Sequence, residues 1–113
     1  MMLEKHIEQK VCDYARTKNV LAYKFTSPSH MGVCDRIFIC DGWVFWIEFK
    51  APGKKPTPLQ SRHHLLLASY GQHVYVVDSV EVGKEIIDYE TQHGPSKYHR
   101  SAILPSGCNK RES

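Results

Sequence analysis

The sequence predicts an α/β domain in which a small mixed β-sheet is flanked by helices. Two short runs of β-branched and aromatic residues, separated only by Asp41-Gly42, indicate an antiparallel hairpin. The strand–helix–strand pattern over residues 43–77 indicates a parallel pair joined by a right-handed crossover. A sheet that holds both kinds of pairing must be mixed, and its helices must cover its faces. The predicted order is helix, three strands, helix, strand, helix.

The first half of the chain supplies one helix and three strands. Residues 3–18 form the predicted helix, because apolar residues recur there at helical spacing. That apolar face consists of Leu3, Ile7, Val11, Tyr14 and Ala15. Strands are predicted over 21–26, 35–40 and 43–50, and Asp41-Gly42 is the dipeptide that a two-residue type I′ turn prefers.

The second helix follows a loop of glycine, lysine and proline. Thr57 is the predicted N-cap, Pro58 takes the first position, and Gln60 takes the third, where it completes a capping box. Gly71 ends the helix. Its predicted apolar face consists of Leu59, His63, Leu66, Leu67 and Tyr70. Residues 73–77 then predict a buried strand, and Asp78-Ser79 caps a final helix.

The composition is that of one small globular domain. The 113 residues are 42% hydrophobic and 11% aromatic, as in folded proteins rather than disordered chains. No apolar run reaches the length of a membrane span, and the N-terminus lacks the pattern of a signal peptide. We therefore expect a cytoplasmic protein that does not bind membranes. Its four cysteines are interpreted as free thiols, because no CxxC pair is present.

The net charge of +3 comes from the C-terminal end. Residues 1–93 carry 11 basic and 11 acidic side chains, whereas residues 94–113 carry four basic and one acidic. We predict that 1–93 form the folded domain and that 94–113 form a basic, flexible tail. A basic tail rich in proline, glycine and serine suits contact with a polyanion. The alternative interpretation is a solvated terminus without a binding role.

The register of the predicted hairpin brings two carboxylates together. With a two-residue loop, Cys40 pairs with Trp43, and Asp35 then lies directly opposite Glu48. Directly opposed residues share one face with Cβ atoms about 4.5–5.5 Å apart, where like charges destabilise the pair. We therefore expect a compensating cation. Carboxylate oxygens of this kind suit Mg²⁺ or Mn²⁺ rather than Zn²⁺.

Lys50 lies two residues beyond Glu48, so strand alternation turns it to the same face. A lysine beside a carboxylate-bound metal can orient or deprotonate a water and stabilise negative charge on a phosphate. The alternative is a salt bridge between Lys50 and Glu48 at the end of a strand.

A longer pattern surrounds these three residues and resembles a known family. Asp35, followed after a hairpin by Glu48-Phe49-Lys50, resembles the Asp…Glu-x-Lys signature of PD-(D/E)xK nucleases. Over roughly residues 3–90 the chain resembles their virus-type replication-repair nuclease (VRR-NUC) branch. The matching stretches are Lys24-Phe25, Gly32-Val33-Cys34-Asp35-Arg36-Ile37, Ile47-Glu48-Phe49-Lys50-Ala51-Pro52-Gly53-Lys54 and Pro58-Leu59-Gln60. Cys34 stands where the branch has a proline; that proline shapes the backbone and is not a ligand, so we expect activity to survive.

The resemblance implies a restriction-endonuclease-like αβββαβ core and assigns roles to matching residues. Asp35 and Glu48 would bind the divalent metal, helped by the main-chain carbonyl of Phe49. Lys50 would position the attacking water. Gln60 would close the site, as the glutamine of this branch does, with a purely structural role in the capping box as the alternative.

An acid from the first helix and three lysines complete the implied site. Glu4 matches the first-helix glutamate of the branch, and Glu8, one turn later, is the alternative. Lys24 is expected to approach the site from the first strand or to contact phosphate. Lys54 and Lys55 are expected to contact DNA phosphates, with a solubilising loop as the alternative.

These expectations describe a magnesium-dependent deoxyribonuclease in which Mn²⁺ can substitute. The chain has no obvious module for reading base edges, so we expect selection by DNA structure rather than by sequence. Members of the branch that stand alone resemble Holliday-junction resolvases, which implies a four-way junction as substrate and a homodimer as the active form. The alternatives are a flap or end-processing nuclease, and a non-catalytic nucleic-acid-binding domain on the same fold.

Overall fold

The computed structural model describes residues 3–26 and 34–93, and it has the predicted order of elements. The elements are α1 (Glu4–Thr17), β1 (Leu21–Lys24), β2 (Arg36–Ile39), β3 (Val44–Phe49), α2 (Pro58–Ser69), β4 (Val74–Val77) and α3 (Val80–His93). The sheet has the order β1-β2-β3-β4. Its first two pairings are antiparallel and the β3–β4 pairing is parallel, which confirms the mixed sheet. The predicted basic tail, 94–113, lies outside the described residues.

The β2–β3 hairpin has the predicted register but a different turn. Ile39 pairs with Val44 and Arg36 with Ile47, as a two-residue loop requires. Gly42 has a φ of 104°, but Asp41 does not have a positive φ. A type I′ turn needs positive φ at both central residues, so the predicted turn type is wrong. The dipeptide could not decide this point, because a glycine in second place suits a type II turn equally well.

The core lies on one face of the sheet, which we call the core face, under α1 and α3. Strand alternation turns Phe38, Phe45 and Ile47 towards it, and all three are fully buried. The two helices approach each other closely at Gly83, where an added Cβ would lie 2.4 Å from a methyl carbon of Val11. Glycine at this position therefore sets the distance between α1 and α3.

A buried carboxylate anchors α3 to the hairpin and to β4. Glu90 is fully buried and accepts hydrogen bonds from Trp43 Nε1 (3.1 Å) and Tyr75 Oη (2.5 Å). His73 Nδ1 lies 2.7 Å from the same carboxylate. Buried charge is costly unless it is hydrogen-bonded, and this carboxylate has three partners. Glu90 therefore holds α3 against the hairpin and β4 on the core face.

The opposite face of the sheet, which we call the site face, is covered in part by α2. Glu48 alternates with Ile47 and Phe49 and so points to this face, where Gln60 of α2 reaches it. The predicted apolar face of α2 is not buried in the chain: α2 contains no fully buried residue. Leu59, Leu66 and Tyr70 are exposed, and so is Leu65.

The prediction failed because three consecutive leucines, residues 65–67, spread apolar surface around the helix. Spacing alone therefore could not tell which side would pack. None of the helices in the described part of the chain is long and apolar enough to cross a membrane.

Candidate active site

Asp35 is held at the end of the sheet by two backbone contacts. Its carbonyl accepts a hydrogen bond from the backbone N–H of Phe25 at 2.8 Å, which extends the β1–β2 pairing by one step. Its carboxylate oxygen Oδ2 accepts from the backbone N–H of Phe49 at 3.1 Å. The hairpin register, continued by one residue beyond Arg36 and Ile47, sets Asp35 opposite Glu48. The structure thus brings together the two carboxylates that the sequence had paired.

Glu48 is an acid in an unfavourable position for its charge. Its side chain is only 2% exposed, and burial, followed by the charge of Asp35, raises its pKa to about 7, while the charge of Lys50 acts in the opposite direction. Its oxygen Oε1 is buried and has no hydrogen-bond partner among the described residues. Two carboxylates with a deficit of positive charge fit a divalent cation that prefers oxygen ligands.

Lys50 and Gln60 both contact the other oxygen of Glu48, Oε2. The Nζ atom of Lys50 lies 3.7 Å away, and Gln60 Nε2 donates a hydrogen bond of 3.0 Å. Gln60 also completes the capping box with Thr57: its backbone N–H donates to Thr57 Oγ1, and its side-chain oxygen accepts from the Thr57 N–H. The capping-box role of Gln60 is therefore compatible with a role at the site, because its side-chain oxygen caps the helix while its Nε2 contacts Glu48.

The two candidate acids of α1 lie in different surroundings. Glu8 is paired with Arg36 at 2.5 Å and with Lys24 at 3.8 Å. Glu4 is close enough to Glu48 for its charge to contribute to the raised pKa of that residue. This arrangement favours Glu4 as the first-helix acid of the site, because Glu8 is already neutralised by its cationic partners.

The remaining predicted residues do not all lie beside this centre. In a strand the N–H and C=O of one residue point to the same side, so the carbonyl of Phe49 shares the side of its N–H, towards Asp35. Lys24 pairs with Arg36 across β1 and β2 and so lies on the core face, opposite to Glu48, where its Nζ is 3.8 Å from Glu8. The structure therefore does not bring Lys24 to the site from the first strand. Lys54 and Lys55 are exposed in the loop after β3. Phosphate contact by these three lysines remains a prediction.

Two polar residues at the site were not assigned to it from the sequence. His64 Nε2 lies 3.8 Å from Glu48 Oε1 and has no hydrogen-bond partner in the described part of the chain. A donor atom from Cys34 lies within 4.8 Å of donor atoms of both Glu48 and His64. Helical spacing could have revealed His64, since it lies four residues after Gln60 and therefore on the same face of α2. The adjacency of Cys34 to Asp35 was the only signal for the cysteine.

Burial perturbs the titration of both residues. The pKa of Cys34 is raised to about 12, first by burial and then by the negative charges of Glu48 and Asp35. The pKa of His64 is lowered, first by burial and then by the neighbouring His63 and Lys50. In the metal-free protein the thiol therefore stays protonated and the imidazole neutral at physiological pH.

Comparisons with known proteins agree with this arrangement. The chain is 40% identical over 83 residues to "Putative nuclease p44" of Acyrthosiphon pisum secondary endosymbiont phage 1, which covers 73% of this chain and 89% of that protein. Its fold is similar to that of a solved structure described as "VRR_NUC domain", with a TM-score of 0.66 and 22% identity. That similarity covers 81% of this chain and 97% of the other. No family model matches the sequence.

Proposed function

Because the chain belongs to the VRR-NUC family of nucleases, we propose that it hydrolyses DNA phosphodiester bonds with Mg²⁺ and selects branched DNA by its structure. The observation that supports this most is the environment of Glu48. This carboxylate is buried beside Asp35, is contacted by Lys50 and Gln60, and has a raised pKa because burial and the charge of Asp35 disfavour its charged form. A purely structural role would not require two neighbouring carboxylates, one of which is destabilised in its charged form.

Asp35 and Glu48 would hold the divalent ion, with the carbonyl of Phe49 as a third ligand. The chemistry that such an ion supplies is positive charge for the scissile phosphate and a lower pKa for the attacking water. Lys50 would orient that water and face the phosphate, and its amine is held at the site by the 3.7 Å contact with Glu48. Gln60 would fix the carboxylate of Glu48, and Glu4 would contribute a further acid at the edge of the site.

DNA is the proposed substrate because its backbone matches the charges at the periphery of the site. The exposed Lys54 and Lys55 lie in the loop that follows Lys50, where they can contact phosphates. The basic residues of 94–113 would add further phosphate contacts. Contacts of this kind carry no base sequence, and they therefore suit an enzyme that recognises the shape of a junction.

We further propose that the active form is a symmetric homodimer. Each chain has one candidate centre, whereas resolving a four-way junction requires two cuts on strands related by approximate two-fold symmetry. Support comes from α2 and its C-cap residue Tyr70: Leu65 and Tyr70 are 71% and 77% exposed, and Leu66 is also exposed. Several large apolar side chains on one short helix are a common feature of interfaces between subunits.

Side-by-side cleavage of labelled four-way junctions, flaps and linear duplexes tests the proposed activity. We expect cutting of the junction in Mg²⁺ or Mn²⁺ and none in EDTA. Lys50→Ala should keep its fold and its DNA affinity and lose most turnover, because Lys50 acts mainly in the transition state. Lys84→Ala on the exposed side of α3 is the matched control and should cut normally. Preferential cutting of flaps would favour the end-processing alternative, and DNA binding without cutting in either metal would favour the non-catalytic one.

Crystals soaked in Mn²⁺ test the metal site directly. The anomalous signal should lie between Asp35 and Glu48 with oxygen ligands at about 2.0–2.2 Å. Manganese bound at another position would contradict the assignment of these ligands.

Light scattering tests the dimer. The 13.0 kDa chain should form a species of twice that mass at micromolar concentration. Leu65→Glu should dissociate it, whereas Tyr89→Glu on the exposed side of α3 should not. A wild-type chain that stays monomeric with junction DNA bound would contradict both the dimer and the resolvase.

A further inference from the structure

The two oxygens of Glu48 face different groups. Oε2 contacts Lys50 and Gln60, at 3.7 and 3.0 Å, on the side assigned to hydrolysis. Oε1 faces His64, whose Nε2 lies 3.8 Å away, and each of these two atoms is buried without a hydrogen-bond partner among the described residues. A buried polar atom without a hydrogen-bond partner destabilises the fold, because it has lost its hydration and gained nothing in return. Two such atoms facing each other therefore indicate a group that they bind together.

A third ligand-type atom completes this arrangement. The thiol of Cys34 is fully buried, and donor atoms of Cys34, Glu48 and His64 all lie within 4.8 Å of one another. The three residues come from the segment before β2, from β3 and from α2, so three separately held parts of the fold supply them. We propose that Cys34, Glu48 and His64 form a binding site for Zn²⁺ that shares Glu48 with the hydrolytic centre.

The chemistry of the three donors selects zinc over magnesium. Thiolate and imidazole are ligands of Zn²⁺, whereas Mg²⁺ prefers oxygen alone. In a tetrahedral zinc site, nitrogen and oxygen ligands at ~2.0–2.2 Å from the metal lie about 3.4 Å from each other. The observed 3.8 Å between Glu48 and His64 is close to that spacing. Cys34 would bind as the thiolate, and its proton would pass to solvent as the metal enters.

Occupation of this site would inhibit cleavage. Glu48 would be bound to Zn²⁺, whose positive charge would repel Mg²⁺ from the same carboxylate. Zinc would therefore lower the occupancy of Mg²⁺ between Asp35 and Glu48 and with it the rate of DNA cleavage. This consequence rests on the proposed nuclease function, whereas zinc binding itself does not.

Cobalt provides a direct optical test of the ligand set. The reduced full-length protein, freed of metal, is titrated with Co²⁺ in the absence of DNA and Mg²⁺. We expect one equivalent to bind with a thiolate-to-cobalt charge-transfer band in the near ultraviolet, and Zn²⁺ to abolish that band. Cys34→Ser should lose the band, and His64→Asn should weaken the affinity for Co²⁺ and Zn²⁺ at least about tenfold. His63→Asn and Cys40→Ser are matched controls from the same helix and the same buried thiol class, and both should bind as the wild type does.

Thermal unfolding guards against variants that fail to fold. Zn²⁺ should raise the melting temperature of the wild-type protein and of His63→Asn, but not that of His64→Asn. The proposal is overturned if no thiolate band forms, if the band persists in Cys34→Ser, or if His64→Asn binds zinc with unchanged affinity.

A cleavage assay then separates the two proposals. The ratio of the rates with and without Zn²⁺, at fixed Mg²⁺, is measured for the wild type and for His63→Asn. Strong inhibition in both, at zinc concentrations that saturate the optical titration, supports the shared carboxylate. Uninhibited cleavage by zinc-saturated protein refutes the inhibition. Cobalt binding without cleavage under any condition refutes the nuclease and leaves the zinc site standing.

Discussion

Replacing Glu48 by glutamine should stabilise the metal-free protein at neutral pH. The pKa of Glu48 is raised from 4.5 to about 7, first by burial and then by Asp35. A tenfold change in an acid dissociation constant corresponds to about 1.4 kcal/mol of preference for the protonated form. The charged carboxylate therefore lowers the free energy of unfolding by about 3 kcal/mol above pH 7, through linkage between ionisation and folding. A glutamine avoids this cost and can still accept the hydrogen bond from Gln60.

The sign of the effect depends on pH in a defined way. Well below pH 4.5 the carboxyl is protonated in both the folded and the unfolded chain, so its ionisation does not change the free energy of unfolding. As the pH rises towards 7, the unfolded chain ionises first and the stability of the wild-type protein falls. The difference between Glu48→Gln and wild type should therefore be below about 1 kcal/mol at pH 5 and reach about 2–3 kcal/mol at pH 7.5.

Urea denaturation in EDTA at these two pH values measures the difference. Glu85→Gln removes an exposed acid from α3 and is the matched control, which should change stability little at either pH. Saturating Mg²⁺ should stabilise the wild type and narrow its gap to Glu48→Gln, because only the wild type keeps both carboxylates. A variant that is no more stable than wild type at pH 7.5, or a gap independent of pH, would refute the reasoning.

Three further predictions concern the scaffold and the tail. Gly83→Ala should lower the free energy of unfolding by about 1–3 kcal/mol in urea denaturation, because the new methyl group clashes with Val11. Adding Val11→Ala should recover most of the loss. If the effects of the two substitutions were simply additive, the close contact would be contradicted. Glu90→Leu should destabilise by about 3 kcal/mol, since it leaves the partly buried Trp43 Nε1 and Tyr75 Oη without their acceptor and removes the contact with His73. A neutral effect in thermal unfolding would show that Glu90 does not hold α3 in place. Removal of residues 94–113 should weaken DNA binding and flatten its dependence on salt; an unchanged salt slope would show that the tail makes no phosphate contacts.

The order of elements and the hairpin register could be predicted because both follow from local patterns. Alternation and a two-residue loop fix which residues oppose each other, and that was sufficient to bring Asp35 towards Glu48. The capping box of α2 was equally local and was confirmed. The two wrong predictions, the turn type and the buried face of α2, depended on tertiary structure that local sequence patterns do not contain. The turn at Asp41-Gly42 has two compatible geometries, and the leucines of α2 gave no single direction for packing.

The residues of the candidate site likewise fall into those that local patterns could predict and those that they could not. Glu48 lies on β3, and Asp35 and Lys50 lie one residue beyond the ends of β2 and β3, where the alternation of the strands still applies. Cys34 and His64 reach Glu48 from a segment before a strand and from a helix, and their approach depends on how α2 is placed over the sheet. No spacing rule connects residues that meet only through tertiary packing.

The weak burial of α2 implies that this helix opens locally more often than the sheet that carries the carboxylates. Asp35 and Glu48 are held by the sheet, whose core face includes the fully buried Phe38, Phe45 and Ile47, whereas Gln60 and His64 belong to a helix without one fully buried residue. Segments with few buried apolar contacts open locally at a small fraction of the global unfolding free energy. Amide protons of α2 should therefore exchange with solvent well before those of β3. Each opening would admit water to Glu48 while the rest of the sheet stays paired, and a ligand that contacts both halves would slow the exchange.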